Sequence, residues 1–221
     1  MIQFLEWDSN FFGCKIGKLD YTGLRKDSFK FEDIKSFDLV YIFSDEKLDY
    51  NKLFDVKIKF QKLTEKKNFP NKITEFDSSK HSYEELLDLA YLSGHDSRFL
   101  KDPFFGEKAF KNLYKAWIDK SIEDHKTKIL IYFDQNRIIG FVTYKKDIDN
   151  AVIELIAVSE NTQGKGIGFK LISAVEANLN PSTNLFVSTQ ETNNIAMEFY
   201  VRNGFRIFDK KYIYHYAKNT L

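Results

Sequence analysis

The sequence predicts an α/β protein in which helices flank a mixed central sheet, with a small αβ unit at the N-terminus. Three observations lead there. The stretches "TKILIYFD" and "RIIGFVTYKK", joined by "DQN", read as an antiparallel hairpin. The apolar run "AVIELIAV" passes through a glycine-rich junction into the amphipathic run "GFKLISAVEANL", a strand followed by a helix. Strand-like "NLFVSTQ", a short helical stretch and the aromatic "FRIFDKKYIYHYA" then continue an alternation that favours helices packed on a sheet. At 221 residues, 43% hydrophobic and 16% aromatic, the chain has ample apolar material for a core.

Taken in order, residues 1–70 form the expected small N-terminal domain. Within it "FDLVYIF" and "VKIKFQKL" are strand-like, and "SFKFEDIKSF" has helical spacing at Phe31, Ile34 and Phe37. "EKKNFPNK", polar and carrying Pro70, is the expected linker, so the second domain spans 71–221. "SYEELLDLAYLS" places Leu86, Leu89 and Ala90 on one face behind acidic residues in its first turn, the signature of a helix start. "GEKAFKNLYKAWIDKSIE" repeats Phe110, Leu113 or Tyr114, Trp117 and Ile118, giving a second helix. After the hairpin, "NAVIELIAVS" is apolar almost throughout and is expected as a central strand covered on both faces. The next helix aligns Ile167, Leu171, Val175 and Leu179. "NNIAMEFYVRNG" is a short helix with Asn193 as N-cap and Gly204 as the left-handed residue after its end. The aromatic ending closes the sheet as one or two strands.

Charge excludes some partners and leaves others. Lys and Arg number 33 against 32 Asp and Glu, for a net charge of +1, which gives no general case for nucleic acid or an anionic membrane; any bound anion should be held locally. No apolar run approaches the ~20 residues that span a bilayer. The lone Cys14 and the absence of a signal-like start in "MIQFLEWDSN" lead to the expectation of a cytoplasmic protein. His81, His95, His125 and His215 are scattered without metal-ligand spacing, so no metal is expected.

The junction "SENTQGKGIGFKL" is where function becomes legible. Backbone N–H groups at a strand-to-helix turn converge on one concavity, the helix dipole adds positive potential, and glycine lets an anion approach closely. Gly164, Gly166 and Gly168 read G-x-G-x-G, which fits neither the P-loop nor the dinucleotide fingerprint. An unliganded glycine-rich connection is the competing reading of this stretch alone. The form Q-x-x-G-x-G, Gln163, Gly166 and Gly168 after a strand ending "IAV", resembles the coenzyme A pyrophosphate loop of the GNAT N-acetyltransferase superfamily. "NNIAMEFYVRNGF" is similar to that superfamily's last helix at Asn193, Ala196, Tyr200, Gly204 and Phe205. The resemblance runs from about residue 71 to 216. It implies the GNAT fold, with a V-shaped splay between the strands of "AVIELIAV" and "NLFVSTQ". It also implies acetyl-CoA as co-substrate, held by Ile156, Ala157, Val158, Gln163, Gly164, Lys165, Gly166, Ile167, Gly168, Asn193 and Ala196.

"WDSNFFG" (residues 7–13), "SRFLKDP" (97–103), "STQETNN" and "YIYHY" resemble the TDP-fucosamine acetyltransferase family, which acetylates the 4-amino group of a dTDP-4-amino-4,6-dideoxy sugar. That resemblance implies a role in nucleotide-sugar and surface polysaccharide biosynthesis, a dTDP-linked amino sugar as partner, and a homodimer. Phe199 departs from it, standing where a family member carries Arg, so the resemblance does not carry a coenzyme A contact over to this position. Acetyl transfer needs a polarised thioester, a neutral amine and a proton for the departing thiolate. The backbone N–H near Val158 suits the first. Tyr200 suits the last, against a purely packing role. Glu154, His95 and Asp96 are candidates for a base, and Glu154 is also placed at the substrate site. Arg98 suits the nucleotide diphosphate, because a guanidinium pairs bidentately with phosphate; the alternative is a surface ion pair with Asp96 or Asp102. Thr189 and Gln190 are placed at the sugar site. Trp7, Phe11 and Phe12 either stack on thymine or fasten the N-terminal domain to the rest. Acetylation of a protein N-terminus, a lysine or a small amine is the alternative function, and a coenzyme A binding module without turnover is a third.

Overall fold

The computed structural model describes residues 2–21, 34–49 and 52–218. Of the helix expected over residues 28–37, residues 28–33 lie outside those described, while Ile34 and Phe37 are buried. In chain order the elements are β1 (Gln3–Phe4), α1 (Glu6–Phe12), β2 (Ile16–Asp20), β3 (Leu39–Ser44), β4 (Leu53–Leu63) and β5 (Ile73–Glu75). Three helices follow, α2 (Tyr83–Ser93), α3 (Arg98–Lys101) and α4 (Gly106–Glu123), then β6 (Thr127–Asp134), β7 (Arg137–Lys146) and β8 (Asn150–Val158). The chain ends in α5 (Ile167–Ala177), β9 (Asn184–Gln190), α6 (Asn194–Arg202) and β10 (Arg206–Ala217).

Local chemistry explains the boundaries. The β6–β7 hairpin turns on Gln135 and Asn136, both with positive φ (50° and 59°), as a two-residue turn that follows the right-handed strand twist requires. Ser82 starts α2 by accepting from Glu85 N–H at 3.2 Å. Asn193 starts α6 by accepting from Ala196 N–H at 3.0 Å, and Gly204 follows its end at φ +83°.

Among the described residues all strands join one mixed sheet in the order β1-β2-β3-β10-β4-β9-β8-β7-β6-β5. The sheet is continuous across the expected boundary near residue 71: β4 lies between β10 and β9, pairing Lys57 with Gln190 and Leu63 with Asn184. Lys62 on β4 also reaches the buried Glu176 of α5 at 3.0 Å. One face of the sheet packs Ile58, Phe60, Ile153, Val187 and Phe205 against Leu171 and Val175 of α5 and Tyr200 of α6. The other packs Ile131 and Phe141 under Leu86 and Leu89 of α2 and Ile118 of α4; beside them Tyr41 meets Phe99 and Leu113.

The structure corrects the expectation that β8 is covered on both faces. Ala151 and Ile153 are buried, but Val152 is 43% exposed, Glu154 is exposed, and residues 155–158 are only half-buried. The apolar run lines an opening in the sheet rather than its closed centre.

Candidate active site

That opening begins where β8 leaves β9. The two strands pair in parallel at only four positions, from Asn150 opposite Asn184 to Ile153 opposite Val187. Beyond them β8 stays on β7 as far as Val158 opposite Gly140, and β9 stays on β4 as far as Gln190 opposite Lys57. The cause is local. Thr143 faces Leu155 and Tyr144 faces Ile153, so Glu154 is an extra residue, a β-bulge. Leu155 N–H donates to the Thr143 side chain at 3.1 Å, which fixes the kink. A bulge bends its strand, and here the bend carries Leu155–Val158 away from β9.

The separated stretch turns unpaired backbone groups into the seam. Ser159 N–H donates to Ile139 O on β7 at 2.9 Å; by strand alternation the Val158 N–H points the other way, toward the seam. Gln163 closes the end of β8 by donating to Val158 O at 3.2 Å. Gly164 and Gly166 follow at φ +75° and +76°, and a Cβ built on either meets nothing within 4 Å. Backbone handedness demands glycine there, and the exposed turn leads into the N-terminus of α5. Gly168 differs: a Cβ would stand 2.9 Å from the Phe199 ring, so this third glycine is required by packing between α5 and α6. The phenylalanine that departs from the family pattern thus rests on the glycine turn. Lys165 donates to Asn161 O at 3.3 Å, while Ile167 is buried.

Tyr200 is 3% exposed and packed among Phe60, Phe199 and Phe205. Burial alone pushes its hydroxyl well above the ordinary tyrosine range, so the proton is held throughout the neutral range. Ile58 and Phe60 share its face of the sheet; Thr189, opposite Ile58, is buried on the same side.

The opposite face carries charge. Strand alternation turns Asp55 and Lys57 away from the Tyr200 core, with Gln190 opposite Lys57. Arg98 on α3 is the centre of this group. Its guanidinium stacks 4.4 Å from the Phe99 ring and 5.1 Å from the Tyr41 ring, and its Nε is enclosed without a hydrogen bond. Neither expected ion-pair partner takes it: Asp96 pairs with Lys101 at 2.9 Å and with His95 at 3.3 Å, and Asp102 pairs with His215 at 2.5 Å. Desolvation lowers the Arg98 pKa, and Tyr41, Asp55 and Asp8 act against it. Burial raises Asp55 and Asp8 above the usual carboxylate range and lowers Lys57 below the usual lysine range. Perturbed groups concentrated in one place are a mark of functional sites.

The remaining expected residues lie elsewhere. Glu154 is on the rim, ion-paired with Lys145 at 3.2 Å, and His95 is an exposed loop residue. Phe12 packs on Phe99 and Phe105, joining α1 to α3 and the loop after it, whereas Trp7 is 48% exposed and stacks on Phe11 at 4.9 Å. Asp55, Lys57, Tyr41 and His215 were not singled out for this site from sequence. Each is an ordinary strand residue in its own stretch, and only the pairing of β3 and β4 on either side of β10 brings them beside Arg98. A surface depression of about 560 Å3, lined by Asp77, His81 and Ser121 among others, involves none of them.

Comparison with known proteins bears on the family and the fold. The model of the acetyltransferase (GNAT) family matches residues 89–205, more than half of the chain. The spore coat polysaccharide biosynthesis protein SpsD of Bacillus subtilis is 24% identical over 134 residues, 60% of this chain and 46% of that protein. The chain thus matches less than half the length of this curated relative. Among solved structures, a protein of unknown function from Staphylococcus epidermidis superposes with a TM-score of 0.68 at 15% identity, covering 92% of this chain and 84% of the other. A GCN5-related N-acetyltransferase from Sphaerobacter thermophilus gives 0.51 at 13% identity, over 81% and 60%. At these identities the two structures speak for the fold.

Proposed function

Because the chain belongs to the GNAT acetyltransferase family, we propose that it transfers the acetyl group of acetyl-CoA to the 4-amino group of a dTDP-4-amino-4,6-dideoxy sugar. The observation that carries the acceptor class is Arg98. It is a guanidinium with an enclosed Nε, stacked on two aromatic rings and in no direct ion pair, its desolvation offset only in part by the nearby Asp55 and Asp8, beside Lys57, which pairs with Gln190 at the end of β9. A desolvated cation is costly unless a partner completes it, and the diphosphate of a nucleotide sugar is a bidentate partner. The relationship to a polysaccharide biosynthesis protein supports a sugar acceptor. A cytoplasmic location and a homodimer belong to the same proposal.

Each residue then has a task. The turn of Gln163, Gly164, Lys165, Gly166, Ile167 and Gly168 offers backbone N–H groups and the α5 dipole to a pyrophosphate. Ile156, Ala157 and Val158 offer the unpaired edge of β8 to a pantetheine arm, and the Val158 N–H polarises the thioester carbonyl. Asn193 and Ala196 hold the start of α6, which delivers Tyr200. Tyr200 keeps its proton at neutral pH and donates it to the departing thiolate. On the other face Arg98 binds the diphosphate and Gln190 borders the sugar; Thr189 on the Tyr200 face and Glu154 on the rim complete the border, and exposed Trp7 offers a stacking face for thymine.

The deciding experiment is a thiol-release assay with acetyl-CoA against dTDP-4-amino-4,6-dideoxy sugars, polyamines and peptides. Turnover with a dTDP-amino sugar at least tenfold above the other acceptors is expected. Preference for a peptide or polyamine would replace this acceptor with a protein or small-amine substrate.

A further inference from the structure

Two enclosed side-chain nitrogens in one cluster, Arg98 Nε and His215 Nε2, lack a hydrogen-bond partner; they flank Tyr41, whose hydroxyl interacts with Asp8. Buried polar atoms are almost always partnered, so two in one place mark a position where a polar group is to be received. Tyr41 on β3 and His215 on β10 are cross-strand neighbours with ring centroids 5.0 Å apart, and the Arg98 guanidinium lies 5.1 Å from the Tyr41 ring.

His215 is the most constrained of the three. It is 1% exposed and lies between Phe54 and Tyr41, with ring centroids at 4.8 Å and 5.0 Å. Its Nδ1 is 2.5 Å from Asp102 Oδ2, and the other Asp102 oxygen accepts from Phe104 N–H at 2.9 Å. A carboxylate so held accepts the Nδ1 proton, which leaves Nε2 as a lone-pair acceptor. Desolvation and the nearby Arg98 charge both lower the His215 pKa, and only Asp102 opposes them. The neighbouring Arg98 also disfavours a cation at Nε2, so the complementary donor is a neutral O–H.

We propose that His215, oriented by Asp102, accepts a hydrogen bond through Nε2 from a hydroxyl of the acceptor and so selects hydroxylated amines of the sugar class over alkyl amines. This rests on the reading that the Arg98 cluster is the acceptor site.

The test uses His215→Asn, which retains a donor at the Nδ1 position toward Asp102 and removes Nε2. With the dTDP-amino sugar that wild type acetylates best, kcat/KM falls on the order of tenfold or more, the KM for acetyl-CoA stays within twofold, and turnover of spermidine is unchanged or rises. His215→Gln, which restores a polar atom near Nε2, recovers part of the loss. A folded Asn variant with sugar kinetics within twofold of wild type overturns the proposal, as does an equal loss toward spermidine. Should the variant not fold, imidazole nitrogen resonances of the wild-type protein decide, since there are four histidines to resolve. Addition of the dTDP-amino sugar shifts the buried imidazole, and no shift at saturation overturns the proposal. If wild type acetylates peptides or polyamines and no dTDP-amino sugar, the sugar reading fails by itself, before any variant is compared, and the hydroxyl-selecting role fails with it.

Discussion

Under the proposed function the two faces of the opened sheet solve recognition in different ways. On the side of the glycine turn the groups on offer are backbone N–H groups at Gly164–Gly168 and along the free edge of β8, placed by positive φ angles and one bulge. On the side of Arg98 they are side chains from α1, β3, β4, α3 and β10, desolvated and mutually perturbed. A site of the first kind follows from a few consecutive residues and recognises a ligand that many proteins share. A site of the second kind exists only when the whole sheet has assembled, and it is where specificity for one acceptor can be written.

Variants that separate the two faces test this contrast. The largest effect is expected from Arg98→Ala: kcat/KM for the sugar nucleotide falls by about 2 to 4 kcal/mol, and Lys recovers only part because a point charge lacks the planar fork. Steady-state kinetics with each substrate varied in turn would show it, and an equal loss toward acetyl-CoA would instead mean a folding defect. Next comes Tyr200→Phe. A proton donor lost from the thiolate lowers kcat by roughly 10²-fold with acetyl-CoA binding nearly intact, whereas a packing tyrosine would leave turnover within a few-fold of wild type. Because burial keeps Tyr200 protonated, the wild-type kcat should not decline as pH rises from 7 to 9. Gly166→Val, at φ +76° on an exposed turn, should raise the KM for acetyl-CoA on the order of tenfold, through loss of one or two anion-directed N–H groups, while circular dichroism reports a folded protein.

The smallest effect concerns stability. Burial holds the folded-state pKa of His215 below its ordinary 6.5, so the unfolded chain takes up the proton first as pH falls. The stability contributed by the neutral ring is present above pH about 6.5 and is lost progressively below it. Asp8 and Asp55 work in the opposite sense, since their raised pKa values favour the folded state in acid and cease to do so as pH rises above the ordinary 3.8. Denaturant titrations between pH 7 and 5 should show wild type losing stability and His215→Asn losing less. Identical slopes would mean that His215 is not held neutral.

The contrast also explains what the sequence reveals. Hairpin, caps, helices and glycine turn are readable because each depends on neighbours within a few residues, as the Asn193 cap and the Gln135–Asn136 turn illustrate. Arg98 is suggested by a short family-like stretch. Its surroundings are not readable, because Tyr41 and His215 are 174 positions apart and meet only through the β3–β10 register. The misjudged burial of β8 has the same origin: an apolar strand beside a closed sheet and one beside an opened seam have the same local pattern, and the single bulge at Glu154 decides between them.

The claim that the two faces recognise different ligands is tested most directly by crossed calorimetric titrations. Coenzyme A and a dTDP-4-amino-4,6-dideoxy sugar are each titrated into Gly166→Val and Arg98→Ala. The account predicts that Gly166→Val loses affinity for coenzyme A and binds the sugar nucleotide as wild type does, while Arg98→Ala does the reverse. Loss of both ligands by either folded variant, or of coenzyme A by Arg98→Ala, would contradict it.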